Sequence, residues 1–278
     1  MGGSIGLALR AAGFAGRRIG VGRRVSSLDK ALAVDAVDET TRDVAEGVAR
    51  ADLVILCTPI GKIEPLLAAM GDGLRPGTYV TDVASTKEQV VRLAHRLLPT
   101  SVRFVGSHPI TGSEKTSVAF ARADLYDRAL CLVTPTAETP DATVRWVCQF
   151  WEALGGRTAV LSPRRHDTLL ARVSHLPHAV ATALVNLSVR DGAINLSGPG
   201  FADTTRIASG DPDLWIDIFR TNRRALTAGV DRLIKELTRL RDRLEHDDAR
   251  ALHAWLAAGK NHRDRWLADR LENKVMPP

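Results

Sequence analysis

The feature that most constrains this chain is a regular alternation of short apolar runs with helical stretches, which holds up to Pro163 and then stops. The segments "RRIGVG" (17–22), "ADLVILCTP" (51–59), "GTYVTDVAS" (77–85), "RFVGSHP" (103–109), "ALCLVTP" (129–135) and "RTAVLSP" (157–163) read as strands. Between them, residues 61–72, 86–98 and 140–154 carry helical spacing. Strands separated by helices predict a parallel sheet covered by those helices. After Pro163 the spacing is helical throughout. "DPDLWIDIFRTNRRALTAGVDRLIKELTRLRDRLE" predicts one long helix, with Asp211 as its cap and Pro212 at its first position. A further helix is predicted over 247–272. The expected division is an α/β domain over 1–162 and an all-helical domain over 163–278.

A chain of 278 residues with 45% apolar content can fill two cores of ordinary size. No window is long and apolar enough to span a membrane, and the start does not read as a signal peptide. Cys57, Cys131 and Cys148 are scattered and odd in number. They fit a reduced cytoplasm and no metal-ligand set. The net charge of +6 is carried mostly by arginine, interleaved with acids. That pattern lacks the basic and aromatic stripe of a nucleic-acid binder and suits attraction of small anions.

The chain opens "MGGSIGLALRAAG". Gly2, Gly3 and Ser4 stand at the start of a helix, where unpaired N–H groups and the dipole favour an anion. A dinucleotide site normally puts a strand and further glycines ahead of such a helix. The next strand ends "GVGRRVSS". There Arg23 and Arg24 replace the acid that would bind a free ribose and favour a 2′-phosphate, hence NADP, with NAD as the alternative. Two surface arginines in an arginine-rich chain are the plainer reading.

In "GSHPITGSE" (106–114) His108 follows a buried strand at the end where α/β sheets place ligands. A titratable ring on a backbone fixed by the next proline suits a general base. In "VSHLPHA" His175 and His178 lie three apart. Without a nearby carboxylate they make a poor zinc signature, so no metal is expected. "GPGFADTTRIASGDPDLW" sets Arg206 beside hydroxyls, which reads as a clamp for a carboxylate.

Taken in order and at suitable spacing, "MGGSIGLAL", "DLVILCTPI", "VTDVASTK", "FVGSHPITGSE", "VSHLPHAVA" and "GPGFADTTRIASGDPDLWIDI" resemble the prephenate/arogenate dehydrogenase family of tyrosine biosynthesis. The resemblance implies a Rossmann-type sheet domain followed by a helical domain that makes a homodimer. It implies oxidative decarboxylation of a cyclohexadienol, with hydride passing to NAD(P). It makes His108 the base at the substrate 4-hydroxyl, with Ser85 holding the same hydroxyl. Arg206 pairs with a substrate carboxylate, and His178, with His175 nearby, belongs to the substrate pocket. Ser113 and Glu114 line its entrance, and Cys57, Thr58 and Pro59 border the cofactor. Some relatives carry a basic residue where this chain has Ala202, which leaves the anchor of the second carboxylate open. No C-terminal regulatory domain is expected after the helices. Relatives begin with a strand and "GxGLxGGS". Aligned so, Met1 falls inside the fingerprint, and the expectation is that the first, central strand is missing because the start was set at an internal methionine.

The expected activity is oxidation of prephenate to 4-hydroxyphenylpyruvate. Arogenate, oxidised directly to tyrosine, is the close alternative. A catalytically impaired dimer and a hydroxy-acid dehydrogenase of similar plan are the others. The last would place a catalytic lysine on the helical domain, and none is found there.

Overall fold

The computed structural model describes residues 1–111, 117–190 and 192–271. It contains two compact units, Met1–Arg223 and Arg224–Pro278. Secondary structure becomes all-helical at Pro163, whereas compactness divides sixty residues or so later, because the first helices after Pro163 pack on the sheet region.

The chain starts with helix α1 (Gly2–Ala11), strand β1 (Ile19–Val21), α2 (Val25–Ala33), β2 (Glu39–Thr41) and α3 (Val44–Ala49). It continues through β3 (Leu53–Leu56), α4 (Ile63–Met70), β4 (Tyr79–Asp82), α5 (Glu88–Leu97), β5 (Arg103–Phe104) and β6 (Gly106–Pro109). β7 (Leu130–Thr134), α6 (Asp141–Ala153) and β8 (Arg157–Val160) complete the α/β part. All six expected strands are present, but the one expected over 103–109 is two, β5 and β6, which belong to different ladders. β2 was not expected: its three residues, Glu-Thr-Thr, carry no apolar alternation and form only by pairing with β1.

β1 pairs with β2, and β3–β4–β5 form a second ladder, all parallel. Among the described residues no ladder joins β1 to β3. The third ladder, β6–β7–β8, departs from the expected all-parallel arrangement, since β6 runs antiparallel to β7. A parallel return needs a crossover of helical length. The described part of the β6–β7 connection holds only two short 3₁₀ turns, Val118–Phe120 and Ala123–Tyr126.

Two large apolar clusters lie on the sheet, beside a smaller one of Leu132, Ala159, Leu161 and Leu170. One gathers Leu56, Ile63, Leu67, Val80, Val90 and Phe104. The other joins Ile5 and Ala8 of α1 to Val105, Val133, Val147 and Trp151. α1 docks so closely that a Cβ on Gly6 would fall 1.8 Å from the Ala36 carbonyl oxygen, so only glycine fits there.

The helical part opens with α7 (Pro163–Leu170), capped by the Ser162 hydroxyl. A π-turn over Ala171–His175 leads without a break into α8 (Leu176–Val189), with Pro177 just past the π-turn. α9 (Pro199–Thr205), a 3₁₀ turn (Arg206–Ser209) and α10 (Pro212–Thr221) follow. The single long helix expected over 211–245 is two, α10 and α11 (Arg223–Glu245). The break is at Asn222, whose buried amide turns inward to the Asp167 carbonyl at 2.7 Å and His175 Nδ1 at 3.1 Å. The second unit holds most of α11 and α12 (Ala249–Leu271), tied by a 2.7 Å hydrogen bond from Trp255 Nε1 to Glu236. No helix among the described residues is long and apolar enough to cross a membrane.

Candidate active site

The C-terminal ends of β4 and β6 and the first turn of α5 frame a buried ionic knot. Lys87 and Asp82 are both fully buried and ion-paired. Lys87 Nζ also donates to the Ser107 carbonyl at 2.7 Å, while the Asp82 carboxylate accepts from Ser107 N at 3.1 Å and Ala84 N at 2.9 Å. Every strong polar group here has a partner, which is the condition for burying charge. The knot locks the turn after β4, where Ser85 sits half-buried, to β6 and hence to His108.

His108 is half-buried at the end of β6. Its Nδ1 lies 2.9 Å from Nε2 of His166, whose Nδ1 lies 2.8 Å from Asp167 Oδ1. Burial, followed by the nearby His166, Lys87 and His175, holds His108 well below the ordinary imidazole value. His108 is therefore neutral and able to take a proton at neutral pH. His175 is buried, and desolvation brings it down to about 4.

His178 is buried and stacks on Trp215 with ring centroids 3.6 Å apart, and His175 meets the same indole edge-on. His178 Nδ1 is buried without a partner. The turn that carries Arg206 reaches this pair: a Cβ on Gly210 would lie 2.4 Å from Trp215 Nε1 and 3.2 Å from His178 Cε1. Arg206 itself is exposed. The structure thus brings His108, His175 and His178 into one connected cluster through His166, Asp167, Asn222 and Trp215. Sequence reading missed those four connectors. The adjacent His-Asp in "RRHDTLL", polar residues that helical spacing turns inward, was the available signal for the first two. Ser113 and Glu114 lie outside the described residues.

The nucleotide-binding candidates form a second group. Gly2 packs against Cys57, where an added Cβ would come within 3.2 Å of the cysteine Cβ. Gly3 packs against Val118, and Ser4 is buried with its hydroxyl accepting from Arg122 N at 3.1 Å. These small residues let the start of α1 approach the end of β3. Cys57 is inert as a thiol, since burial pushes it up to about 12. The adjoining Thr58 carries a buried hydroxyl oxygen without a partner, and Pro59 is exposed. Arg23 and Arg24 are exposed just past β1. An orphaned hydroxyl, a helix start and two arginines at strand ends fit the ribose and phosphates of a dinucleotide. Among the described residues no cluster of His, Cys, Asp or Glu could hold a metal.

A nucleotide-type α/β sheet beside a neutral, strand-terminal histidine and a helical half defines a nucleotide-dependent oxidoreductase. Residues 5–160 match the family model described as prephenate dehydrogenase, nucleotide-binding domain, and residues 162–258 match prephenate dehydrogenase, dimerization domain. The chain belongs to the prephenate dehydrogenase family. Prephenate dehydrogenase of Bacillus subtilis is 32% identical over 270 residues, covering 95% of this chain and 73% of that protein. The structure of prephenate dehydrogenase from Aquifex aeolicus in complex with hydroxyphenyl propionate and NAD+ is similar with a TM-score of 0.86 at 32% identity, covering 95% of this chain and 93% of that one. Synechocystis arogenate dehydrogenase is similar with a TM-score of 0.84 at 31% identity, covering 95% of this chain and 96% of that one.

Proposed function

We propose that the protein oxidises prephenate to 4-hydroxyphenylpyruvate and carbon dioxide with a nicotinamide cofactor. The observation that carries this reading is His108, a desolvated neutral imidazole at a strand end, joined in one cluster to His175 and His178. His108 takes the proton of the ring 4-hydroxyl as hydride leaves the same carbon, and Ser85 holds that hydroxyl. Loss of the ring carboxylate as carbon dioxide sends its electron pair into the ring, which becomes aromatic, and the proton returns to the phenol oxygen. Arg206 holds a substrate carboxylate, and His178 on its Trp215 platform, with His175 behind it, lines the pocket. The nicotinamide supplies the hydride acceptor when bound. Gly2, Gly3, Ser4, Cys57, Thr58 and Pro59 would hold the dinucleotide, with Arg23 and Arg24 on a 2′-phosphate, making NADP the favoured form.

In this reading residues 1–162 bind the dinucleotide and 163–278 bind substrate and form a cytoplasmic homodimer. The likeness to an arogenate dehydrogenase supports arogenate as a second substrate, differing only in its side-chain amine. The test is an assay of the purified protein with prephenate and arogenate, each with NAD and NADP, following reduced cofactor and product. Reduction with prephenate and formation of 4-hydroxyphenylpyruvate is expected. Turnover of arogenate alone would reassign the substrate, and no turnover with either would sink the reading.

A further inference from the structure

We propose that His166 and Asp167 act as a positioning relay that sets the tautomer of His108, so that its Nε2 carries the lone pair that meets the substrate hydroxyl. This rests on the reading of His108 as the base. An ionised carboxylate only accepts. Asp167 Oδ1 takes the Lys87 N–H at 2.7 Å, and Oδ2 takes the Glu88 N–H at 2.9 Å. These are amides of the first turn of α5, where the helix dipole also favours negative charge. Both oxygens are thereby engaged as acceptors, although only 1% of the residue is exposed. The His166 nitrogen facing it at 2.8 Å, Nδ1, must then carry a proton.

A neutral His166 with its proton on Nδ1 offers only a lone pair at Nε2. His108 Nδ1 lies 2.9 Å from that lone pair and must be the donor. His108 is left with a bare Nε2. The other tautomer of His108 would set two lone pairs against each other at 2.9 Å beside a fully buried ring, an arrangement that low-dielectric surroundings penalise. Burial keeps both rings neutral, outweighing the pull of Asp167 and Asp82 toward a charged His166. Lys87 approaches from the start of α5 and His175 from the π-turn, and both oppose a proton on His108. Asp82 on β4 is committed to Lys87. The relay is also mechanically pinned: Ser162 caps the helix that carries it, and Asn222 donates to the Asp167 carbonyl at 2.7 Å. When His108 Nε2 takes a proton, its Nδ1–H bond to His166 becomes charge-assisted and strengthens with the transition state.

The test compares His108→Asn, His166→Leu, His166→Gln and the double variant His108→Asn/His166→Leu, with ¹⁵N-histidine spectra of the unmodified protein. His166→Leu removes the acceptor and is expected to lower kcat about 10- to 100-fold, a part of the roughly 10²–10⁴ that a general base supplies. KM should stay within about threefold. Glutamine can present its amide oxygen to His108 Nδ1–H and its NH₂ to Asp167, so His166→Gln should recover most of the loss. In the His108→Asn background His166→Leu should cost nothing more, because both act through one group. The resting spectrum should show His108 protonated at Nδ1 and bare at Nε2. Full turnover in His108→Asn would overturn the base reading itself. An inactive His108→Asn beside a fully active His166→Leu would overturn the relay alone. If His166→Leu does not fold, the ring spectrum decides: a proton on Nε2 of resting His108 overturns the relay, and one on Nδ1 supports it.

Discussion

The carboxylate of Asp217 accepts a hydrogen bond from the backbone N–H of Gly61 at 3.0 Å, across 156 residues of sequence. Gly61 follows Cys57-Thr58-Pro59 at the end of β3, and Asp217 lies on α10. One turn further along α10, the Thr221 hydroxyl meets that of Thr86, beyond β4, at 2.9 Å. The helix that carries Trp215 is thus referenced to two sheet loops at once. Asp217 is half-buried, and a charged acceptor on a backbone amide there contributes roughly 1–2 kcal/mol. Asp217→Ala should lower the unfolding free energy by about that amount. Gly61→Ala should cost as much, because its Cβ would sit 2.7 Å from Asp217 Oδ2 and drive the carboxylate away. The two losses should not add, since both break one contact. Additive losses in urea unfolding would mean that the two residues act separately.

Lys87 and Asp82 predict a steeper effect. Removing the cation leaves a buried carboxylate with two amide donors and no counter-charge. Lys87→Met should destabilise by about 3–5 kcal/mol, and Lys87→Met/Asp82→Leu should recover much of it. Urea unfolding of the single and double variants checks this. A single variant as stable as the unmodified protein would show that water reaches the site.

His175 gives a pH dependence whose sign is set by burial. Its Nδ1 accepts from Asn222 and loses that bond when protonated. Its folded value is about 4 against 6.5 for the free ring, so between these values the unfolded chain binds a proton that the folded chain does not. Stability from this group is therefore fully present above pH 6.5 and is lost as pH falls toward 4. The gap corresponds to roughly 3 kcal/mol. Unfolding free energies measured across that window should fall with acid, and His175→Gln should flatten the slope. Parallel profiles would remove His175 as the cause.

The six strands and the turn to an all-helical half were readable because each strand is apolar or half-apolar and bounded by turn residues. The residues that assemble the site were harder to read. His108 stood out because it ends a strand, and spacing from Leu170 turns His166 and Asp167 inward, whereas Lys87 looks like a surface residue of an amphipathic helix. Its burial depends on partners 5 to 80 positions away, which no local pattern encodes. Asn222 was invisible for the same reason. It sits inside an unbroken helical pattern, and a tertiary bond to Asp167 overrides local propensity to end α10 there.

Arg206 is exposed, on the turn that packs against His178 and Trp215. As a carboxylate clamp it should contribute about 1.5–3 kcal/mol to substrate binding, so Arg206→Ala should raise KM for prephenate by about 10- to 100-fold with a smaller change in kcat. Unchanged KM would move the clamp elsewhere.

Cofactor choice should reside in Arg23 and Arg24. Both side chains are exposed immediately after β1, where an NAD-preferring site would carry an acid for the ribose hydroxyls. Arg24 also supplies the extended backbone that starts α2, so its Cα is held in place while its side chain reaches outward. A guanidinium on a 2′-phosphate makes charge-assisted bonds worth about 1.5–3 kcal/mol, and NAD offers no such group. The unmodified protein should therefore show a higher kcat/KM with NADP than with NAD. Arg23→Ala and Arg24→Ala should each lower the NADP value about tenfold or more and leave the NAD value within about twofold. Added salt should weaken NADP binding more than NAD binding, because the exposed arginines are screened. Equal losses with both cofactors would assign these arginines to the shared pyrophosphate. A preference for NAD in the unmodified protein would assign them to the solvated surface.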